Sequence, residues 1–374
     1  MLEQKSERLL SLDVFRGITI AGMILVNNPG TWSSIYPALD HAEWNGVTPT
    51  DLIFPFFLFI VGVAISFSLS KRKERGDDQK KLILNIFRRA VILFVLGLLM
   101  YGFPYYDLAT QRIPGVLQRI AVCYFFASFL FLKINLKTLI YISVAILLVY
   151  WGLMTLIPVP GVGYANLEPS TNLGAWLDRT VLGINHLWSG SKTWDPEGIL
   201  STFPAITTTL FGVFTGVWLK SKNDEKTKVI WMLVFGNIGL VLGTIWDIWF
   251  PINKGIWTSA YVVFTAGMAL QFLGMCYWLI DIKGYKWWTK PFVVYGLNAI
   301  TVFFLSGIIG RLMTMIKVTD SSGEQVALKT FLFNNLFLSW LQPINASLAW
   351  AIMYVIVWLG LMWILYAKKI FIKI

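Results

Sequence analysis

The chain has 374 residues, of which 56% are apolar and only 14% charged, and its mean hydropathy is +0.65. A soluble domain carries about 25% charged residues, so the composition excludes an ordinary soluble globular protein and points to an integral membrane protein. The net charge of +11 would suggest a nucleic-acid partner in a soluble chain; here it is read as the Lys/Arg excess of cytoplasmic loops, with the lipid bilayer as the partner and no nucleic acid.

A bilayer core takes about 20 apolar residues per helix. Segments meeting this lie at 12–29, 51–70, 84–103, 114–132, 137–157, 200–219, 229–250, 257–280, 290–310 and 345–367. The expected fold is therefore an all-α polytopic membrane protein of about ten transmembrane helices, a single domain over 1–374. The first apolar run has no small-residue cleavage site after it and is read as a retained helix. The stretch 328–342 is apolar but short, and reads as a half-helix or an interfacial helix. Cys123 and Cys276 both sit in apolar runs and are read as small apolar residues, with no disulfide framework and no metal site.

Ten spans put both termini on one side. With the N-terminus inside, 23 of the 31 Lys and Arg residues fall in inner segments, Lys5, Arg8 and Lys373 among them. Cytoplasmic loops carry such an excess, so the reading is N-in and C-in. The long loop 158–199, between spans 5 and 6, and the loop around His41 are then on the outer face.

Ionisable residues in or beside spans are functional candidates. Asp13 and Arg16 are spaced i, i+3 at the start of span 1, which puts them on one helical face; the pair is either a structural anchor or faces the cofactor. Arg112 and Arg119 flank the start of span 4. A phosphate-bearing ligand would suit their planar guanidinium donors, and a buried carboxylate such as Asp13 or Asp51 would equally neutralise Arg119. Lys254 reads as a snorkelling interface lysine or a ligand for an anion, and Asp247 as a partner for a cation. Asp195 and Glu197 lie in the long loop with His186, the second of two histidines. His41 is the first, in Asp40-His41-Ala42-Glu43-Trp44-Asn45-Gly46. Histidine moves a proton near neutral pH without a large pKa shift. Asp51, at the mouth of span 2, is placed to accept a hydrogen bond from one ring nitrogen, which would fix the tautomer and leave the other nitrogen as a base.

Several motifs, taken in order, resemble the transmembrane acyltransferase domain of the heparan-α-glucosaminide N-acetyltransferase family. They are Ser11-Leu12-Asp13-Val14-Phe15-Arg16-Gly17, Val26-Asn27, His41 through Gly46, Asp51-Leu52-Ile53-Phe54-Pro55, and Arg112-Ile113-Pro114-Gly115-Val116-Leu117-Gln118-Arg119. Leu156 through Gly161, Leu182 through Leu187, Asp195 through Leu200, Pro251-Ile252-Asn253-Lys254, Leu297-Asn298-Ala299-Ile300 and Lys368 through Ile374 continue the set.

The resemblance implies a bacterial enzyme of the inner membrane that takes acetyl from cytosolic acetyl-CoA and delivers it to the amine of a glucosamine-type sugar on the outer, periplasmic face. The family's catalytic histidine matches His41, as base or nucleophile, with Asp51 and Asn45 beside it in the catalytic set. Arg16, Arg112, Gln118, Arg119, Asn253, Lys254, Trp257 and Asn298 are the expected contacts of the donor, and Asn27, Trp44, His186, Asp195 and Glu197 those of the acceptor. Asn45, Asn27 or Asn253 would serve the thioester oxyanion. The animal enzyme's N-terminal luminal domain and its span have no counterpart here, the loop 158–199 is shorter and without paired cysteines, and Asp40 differs; these departures leave the acceptor sugar or glycan open. An O-acyltransferase of envelope polysaccharide and a sugar transporter remain as alternatives, and a homodimer is compatible with either.

Overall fold

The computed structural model describes residues 9–320 and 322–372. Lys5, Arg8, Lys373 and Ile374, used in the charge count or the motif set, lie outside the described residues. Thirteen α-helices are present among the described residues. They are α1 (Leu10–Asn27), α2 (Ile53–Glu74), α3 (Gln79–Gly102), α4 (Val116–Lys133), α5 (Leu136–Leu156), α6 (Leu173–Leu182) and α7 (Ile199–Leu219), followed by α8 (Glu225–Asp247), α9 (Ser259–Cys276), α10 (Lys290–Leu297), α11 (Ala299–Met315), α12 (Leu328–Phe333) and α13 (Pro343–Ala367). Short polar caps start several of them: Asp78, Asn135, Asn172 and Asp224 each accept from a backbone N–H of the first turn, which satisfies donors a helix start leaves orphaned.

Among the described residues, nine helices are long and apolar enough to cross a bilayer, or ten if α10 and α11, bent by 80° at their junction, form one span. The expected straight span over 290–310 is thus broken. The break is at Asn298, whose backbone leaves the helical region (φ −120°, ψ 37°). Its side chain caps neither helix; the amide donates to Ile370 O (3.1 Å) and accepts from Ile372 N–H (3.0 Å). The stretch 328–342 is a short helix, α12, running into a π-helical turn at Asn334–Leu338. A two-stranded antiparallel hairpin, β1 (Lys317–Thr319) with β2 (Gln325–Ala327), precedes it; three-residue strands leave too little alternation to be read from sequence. The long loop 158–199 is partly ordered as α6, capped by Asn172 and ended by Gly183 at φ +80°.

The described residues form two compact units. The first comprises 9–41, 48–54 and 275–372; the second, 42–47 and 55–274. In the first, α1 packs on α10 so closely that a Cβ on Gly17 would lie 1.8 Å from Phe292 O. In the second, α2 and α7 meet through Gly62, Gly212 and Gly216. A Cβ on Gly212 would lie 1.9 Å from Phe59 O, and one on Gly216 the same distance from Ser66 Oγ. The Gly212/Gly216 spacing is the small-xxx-small pattern that lets membrane helices approach backbone to backbone. The buried stripe Leu82, Ile86, Ala90, Leu93, Gly97 and Met100 of α3 faces α4.

Candidate active site

His41 ends a loop that α1 feeds through a 3-10 turn, Pro37–Leu39. A second 3-10 turn, Pro49–Leu52, leads into α2 and carries Asp51. Thr48-Pro49-Thr50-Asp51 forms a capping box: Asp51 Oδ2 accepts from Thr48 N–H (3.0 Å), the reciprocal arrangement such a sequence favours. Its other oxygen, Oδ1, lies 2.6 Å from His41 Nδ1. The carboxylate is 1% exposed while the imidazole is 46% exposed. A carboxylate oxygen accepts, so Nδ1 carries the proton and Nε2 is the basic nitrogen of the neutral ring. Thr48 Oγ1 stands 2.6 Å from Asp40 O and 3.1 Å from Asp51 Oδ2; its single proton favours the nearer. Asp40 Oδ1 in turn accepts from His41 N–H (2.8 Å). The histidine is thereby fixed by both its ring and its backbone.

Asn45 belongs to the second unit. Gly46 N–H donates to Ile252 O (2.7 Å), and Asn253 Nδ2 donates to Asn45 Oδ1 (3.1 Å). Asn253 is fully buried and its Oδ1 accepts from Ile256 N–H (3.0 Å). With that oxygen spent, Asn253 must present its NH2 to Asn45, and Asn45 must answer with oxygen. The amide nitrogen of Asn45, on an exposed residue, is therefore left as a donor. Trp44 donates from Nε1 to Leu167 O (3.0 Å) and meets Trp194 edge-on at 5.0 Å between centroids; Trp188 meets Trp194 at 5.7 Å. The three indoles form an aromatic nest with Trp188 at its exposed edge.

Arg112, Asp195 and Glu197 form an ion triad. Arg112 Nε and Nη2 meet the two oxygens of Asp195 at 2.8 and 2.6 Å, and Nη2 also meets Glu197 Oε2 at 2.5 Å. The guanidinium also lies over the Tyr101 ring at 4.9 Å. Burial alone would lower its pKa, but Glu197 and Asp195 outweigh burial and raise it above the ordinary value. His186 fastens the same two loops: its Nδ1 donates to Gln111 O (2.9 Å), and its carbonyl accepts from Ile113 N–H (3.0 Å). Three of the residues expected at the acceptor and one expected at the donor are thus brought together as a loop clasp.

Arg119 is 2% exposed. Its Nη2 donates to Gly198 O (3.1 Å) and to Ser201 Oγ, and its guanidinium stacks over Trp257 at 5.1 Å. No carboxylate lies within 4 Å among the described residues, and Nε and Nη1 have no hydrogen-bond partner there. The neighbouring Gln118, 3% exposed, has neither amide atom satisfied. Buried polar groups left this way need a ligand or ordered water, which suits a polar molecule entering at the start of α4. Trp257 holds φ at +51°, unusual for a bulky residue, and its Nε1 donates to Thr208 Oγ1 (3.1 Å).

The remaining candidates are scattered. Arg16 and Asp13 form the expected i, i+3 pair (3.1 Å), and Ser11 N–H donates to Asp281 (3.1 Å) in the same unit. Asn298 is tied to the chain's last described residues. Asn27 is the exposed last residue of α1. Lys254 is half-buried in the turn before Trp257. Asp247 accepts from Ile252 N–H, a backbone partner and not a cation.

Asp178 was not among the candidates. It lies on α6, 3% exposed, and accepts from Ile199 N–H (2.8 Å). Burial pushes its carboxyl up to about 7, with neighbouring Asp195 adding to the rise and the Ile199 hydrogen bond opposing it. The only signal for it in the sequence is the amphipathic run after the Asn172 cap.

Residues 8–244 match the family profile described as heparan-alpha-glucosaminide N-acetyltransferase, catalytic. The chain is 31% identical to the heparan-alpha-glucosaminide N-acetyltransferase of Homo sapiens over 426 aligned residues, covering 98% of this chain and 60% of that protein. It is 30% identical to the Mus musculus protein of the same name, covering 80% of this chain and 53% of that one. A 39.9 kDa uncharacterised protein encoded 3′ of an amylase gene in Bacillus acidopullulyticus is 32% identical over 104 residues. The chain thus spans between 53% and 60% of the length of its mammalian relatives.

Proposed function

Because the chain belongs to the catalytic family of heparan-alpha-glucosaminide N-acetyltransferases, a family of transmembrane acyltransferases that use acetyl-CoA as donor, we propose that it transfers acetyl from acetyl-CoA to the amine of a glucosamine-type sugar, with His41 as the proton-handling group. The observation that carries this reading is the hydrogen bond between His41 Nδ1 and the buried Asp51 carboxylate. That bond leaves Nε2 as the basic nitrogen on a half-exposed ring.

In this reading the acetyl group arrives as a thioester. Nε2 takes a proton from the neutral sugar amine as that nitrogen attacks the thioester carbon, and the tetrahedral adduct then breaks its C–S bond, the CoA thiolate leaving with the proton from the imidazolium; or Nε2 attacks that carbon first, expels the CoA thiolate, and passes the acetyl to the amine. Asp51 holds the tautomer and stabilises the charge the ring gains, as a buried carboxylate does for a histidine base. Asn45 keeps an unspent N–H, the kind of donor that a carbonyl oxygen takes as negative charge grows on it. Gln118 and Arg119 are the preferred donor contacts, because their buried N–H groups are unspent. Arg112 is better read as structural, because two carboxylates already occupy it. The Trp44–Trp194–Trp188 nest is the preferred face for a sugar. We place the enzyme in a bacterial plasma membrane with the His41 loop on the outer face, on the strength of the Lys/Arg distribution.

The test uses the full chain in detergent with acetyl-CoA and a panel of amino sugars, following CoA thiol release. Wild type should release CoA in step with an alkali-stable amide product, and His41→Ala should lose about 10²–10⁴-fold in rate. Unchanged transfer by His41→Ala would refute the mechanism. An alkali-labile ester product would make the enzyme an O-acyltransferase instead, and sugar counterflow without CoA release a transporter.

A further inference from the structure

The segment from Lys71 to Arg89, spanning the end of α2 and the first half of α3, carries eight Lys or Arg residues against three acidic ones. Two of the charged groups are already committed. Lys73 Nζ donates to Phe131 O and Ile134 O, closing the end of α4, and Asp78 caps α3. What is left is a stripe on α3. Lys81, Asn85 and Arg88 stand at i, i+4 and i+7, so they share one helical face, with Arg89 next to it; all four are exposed.

The surroundings of this stripe are apolar. Leu84, Phe87 and Val91 flank it and are 65%, 52% and 42% exposed. α3 is one of the helices long and apolar enough to cross a bilayer, so this face belongs against hydrocarbon. Arg88 lies four residues inside the apolar segment that begins at 84, about 6 Å along the helix axis at 1.5 Å per residue. At that edge of the hydrocarbon a long cationic side chain snorkels to the level of the lipid phosphates. Among the described residues, no ion pair is formed by Arg88 or Arg89. Arg89 lies over the Tyr124 ring of α4 at 5.4 Å, and the charge of Arg72, from the end of α2, is also felt at the Tyr124 hydroxyl. Phe87 meets Phe125 at 5.8 Å, and further along α3, on the side away from its charged start, Val91, Val95 and Leu99 are exposed and continue the apolar surface.

We propose that Arg88 and Arg89, with Lys81 and Arg72, hold the phosphate of an anionic phospholipid whose acyl chains run from Phe87 along Val91 and Val95. A phosphate diester offers the two oxygens that a guanidinium fork takes in pairs, and the apolar side chains beyond the arginines meet the part of the lipid that carries no charge. The site is independent of the catalytic reading and rests only on α3 being a membrane span.

The test reconstitutes the full chain in nanodiscs of phosphatidylcholine with a minor fraction of phosphatidylglycerol, and measures by mass spectrometry the lipid retained after extraction into detergent. Wild type should be enriched in phosphatidylglycerol. R88Q/R89Q should lose that enrichment by about fivefold for each arginine, the weight of one basic side chain at an anionic surface. R88K/R89K should keep part of it, and K222Q, outside the stripe, all of it. If the double variant does not fold, R88Q alone, at an exposed position, carries the comparison. Equal retention of the two lipids by wild type, or unchanged enrichment in the glutamine variants, would overturn the proposal. Displacement of the bound lipid by adenosine 3′,5′-bisphosphate would also overturn it, by giving the arginines to the nucleotide end of the donor.

Discussion

Arg119 and Asp178 grip opposite ends of one peptide group. Arg119 Nη2 donates to Gly198 O (3.1 Å), and the N–H of the same peptide, on Ile199, donates to Asp178 Oδ1 (2.8 Å). The peptide dipole therefore runs between a buried cation and a buried carboxyl, and each of its polar atoms meets the charge that suits it. Gly198 has to be glycine here, because a Cβ would fall 2.0 Å from Asp178 Oδ2. This peptide is the entry to α7 and follows directly on Asp195 and Glu197, so the pair fixes where the ion triad with Arg112 sits.

Asp178 makes stability pH-dependent. Its carboxyl is raised from 3.8 to about 7, chiefly by burial. Below pH about 4 it is protonated in both the folded and unfolded chain, and its contribution is fully present. Between about 4 and about 7 the unfolded chain has lost the proton while the folded chain keeps it, so stability falls as pH rises, by at most roughly 4 kcal/mol at 1.36 kcal/mol per pH unit. Asp178→Asn cannot ionise. The difference in thermal midpoint, variant minus wild type, should therefore grow in the variant's favour from pH 5 to pH 8 in detergent. A difference that stays constant over that range would mean Asp178 is already ionised at pH 5.

The ion triad predicts a rescue. Arg112→Met removes the only cation paired with Asp195 and Glu197 among the described residues; their side chains are 0% and 7% exposed. Leaving buried carboxylates unpaired costs about 3–5 kcal/mol, enough to lower the thermal midpoint by several degrees. Arg112→Lys should recover little, since a lysine cannot reproduce the fork that spans both Asp195 oxygens. Adding Asp195→Asn and Glu197→Gln to Arg112→Met should restore most of the loss, as judged by thermal unfolding. If the neutralised triple variant is no better than Arg112→Met, the charges are not what the arginine answers.

The spans were legible because twenty apolar residues in a row have few other fates. The break in one of them was not, because Asn298 sits in an apolar run and only its pairing with Ile370 and Ile372, more than seventy residues away, shows why the helix stops. The Thr48-Pro49-Thr50-Asp51 capping signature and the proximity of Asp51 to His41 were within reach of local reasoning, since both lie on ten residues of chain. The Arg112 triad was not: the family resemblance set Arg112 with the donor and Asp195 and Glu197 with the acceptor, and only the fold brings residues 83 and 85 positions apart together. Asp178 shows the same limit, because its chemistry comes from burial, which a single Asp-Arg pair in an amphipathic stretch does not announce.

Asp51 has two duties that substitution should separate. Asp51→Asn offers an amide where His41 Nδ1–H needs an acceptor, and the amide's N–H side favours the other tautomer; the rate of acetyl transfer should fall by about 10²–10⁴-fold. Thr48→Val keeps the carboxylate but removes the hydroxyl from the capping box, and should cost about 0.5–2 kcal/mol in thermal stability with a much smaller effect on rate. Acetyl transfer by Asp51→Asn at the wild-type rate would show that the aspartate serves only the helix start.

Asn45 and Asn253 should behave as one device. Asn253 Nδ2 holds Asn45 Oδ1, so the Asn45 N–H that is left for substrate points where Asn253 sets it. Removing one oxyanion donor costs about 10²–10³-fold in kcat, so Asn45→Ala should lower kcat with little change in KM for acetyl-CoA. Asn253→Ala frees the Asn45 amide to rotate and should lower kcat in the same direction; it should also lower the thermal midpoint, because the buried Ile256 N–H loses its acceptor. The two residues act through one hydrogen bond, so the double variant should lose little more in kcat than Asn45→Ala alone. Multiplied losses in the double variant would mean that each asparagine contributes separately, and an unchanged kcat in Asn45→Ala would remove Asn45 from the reaction.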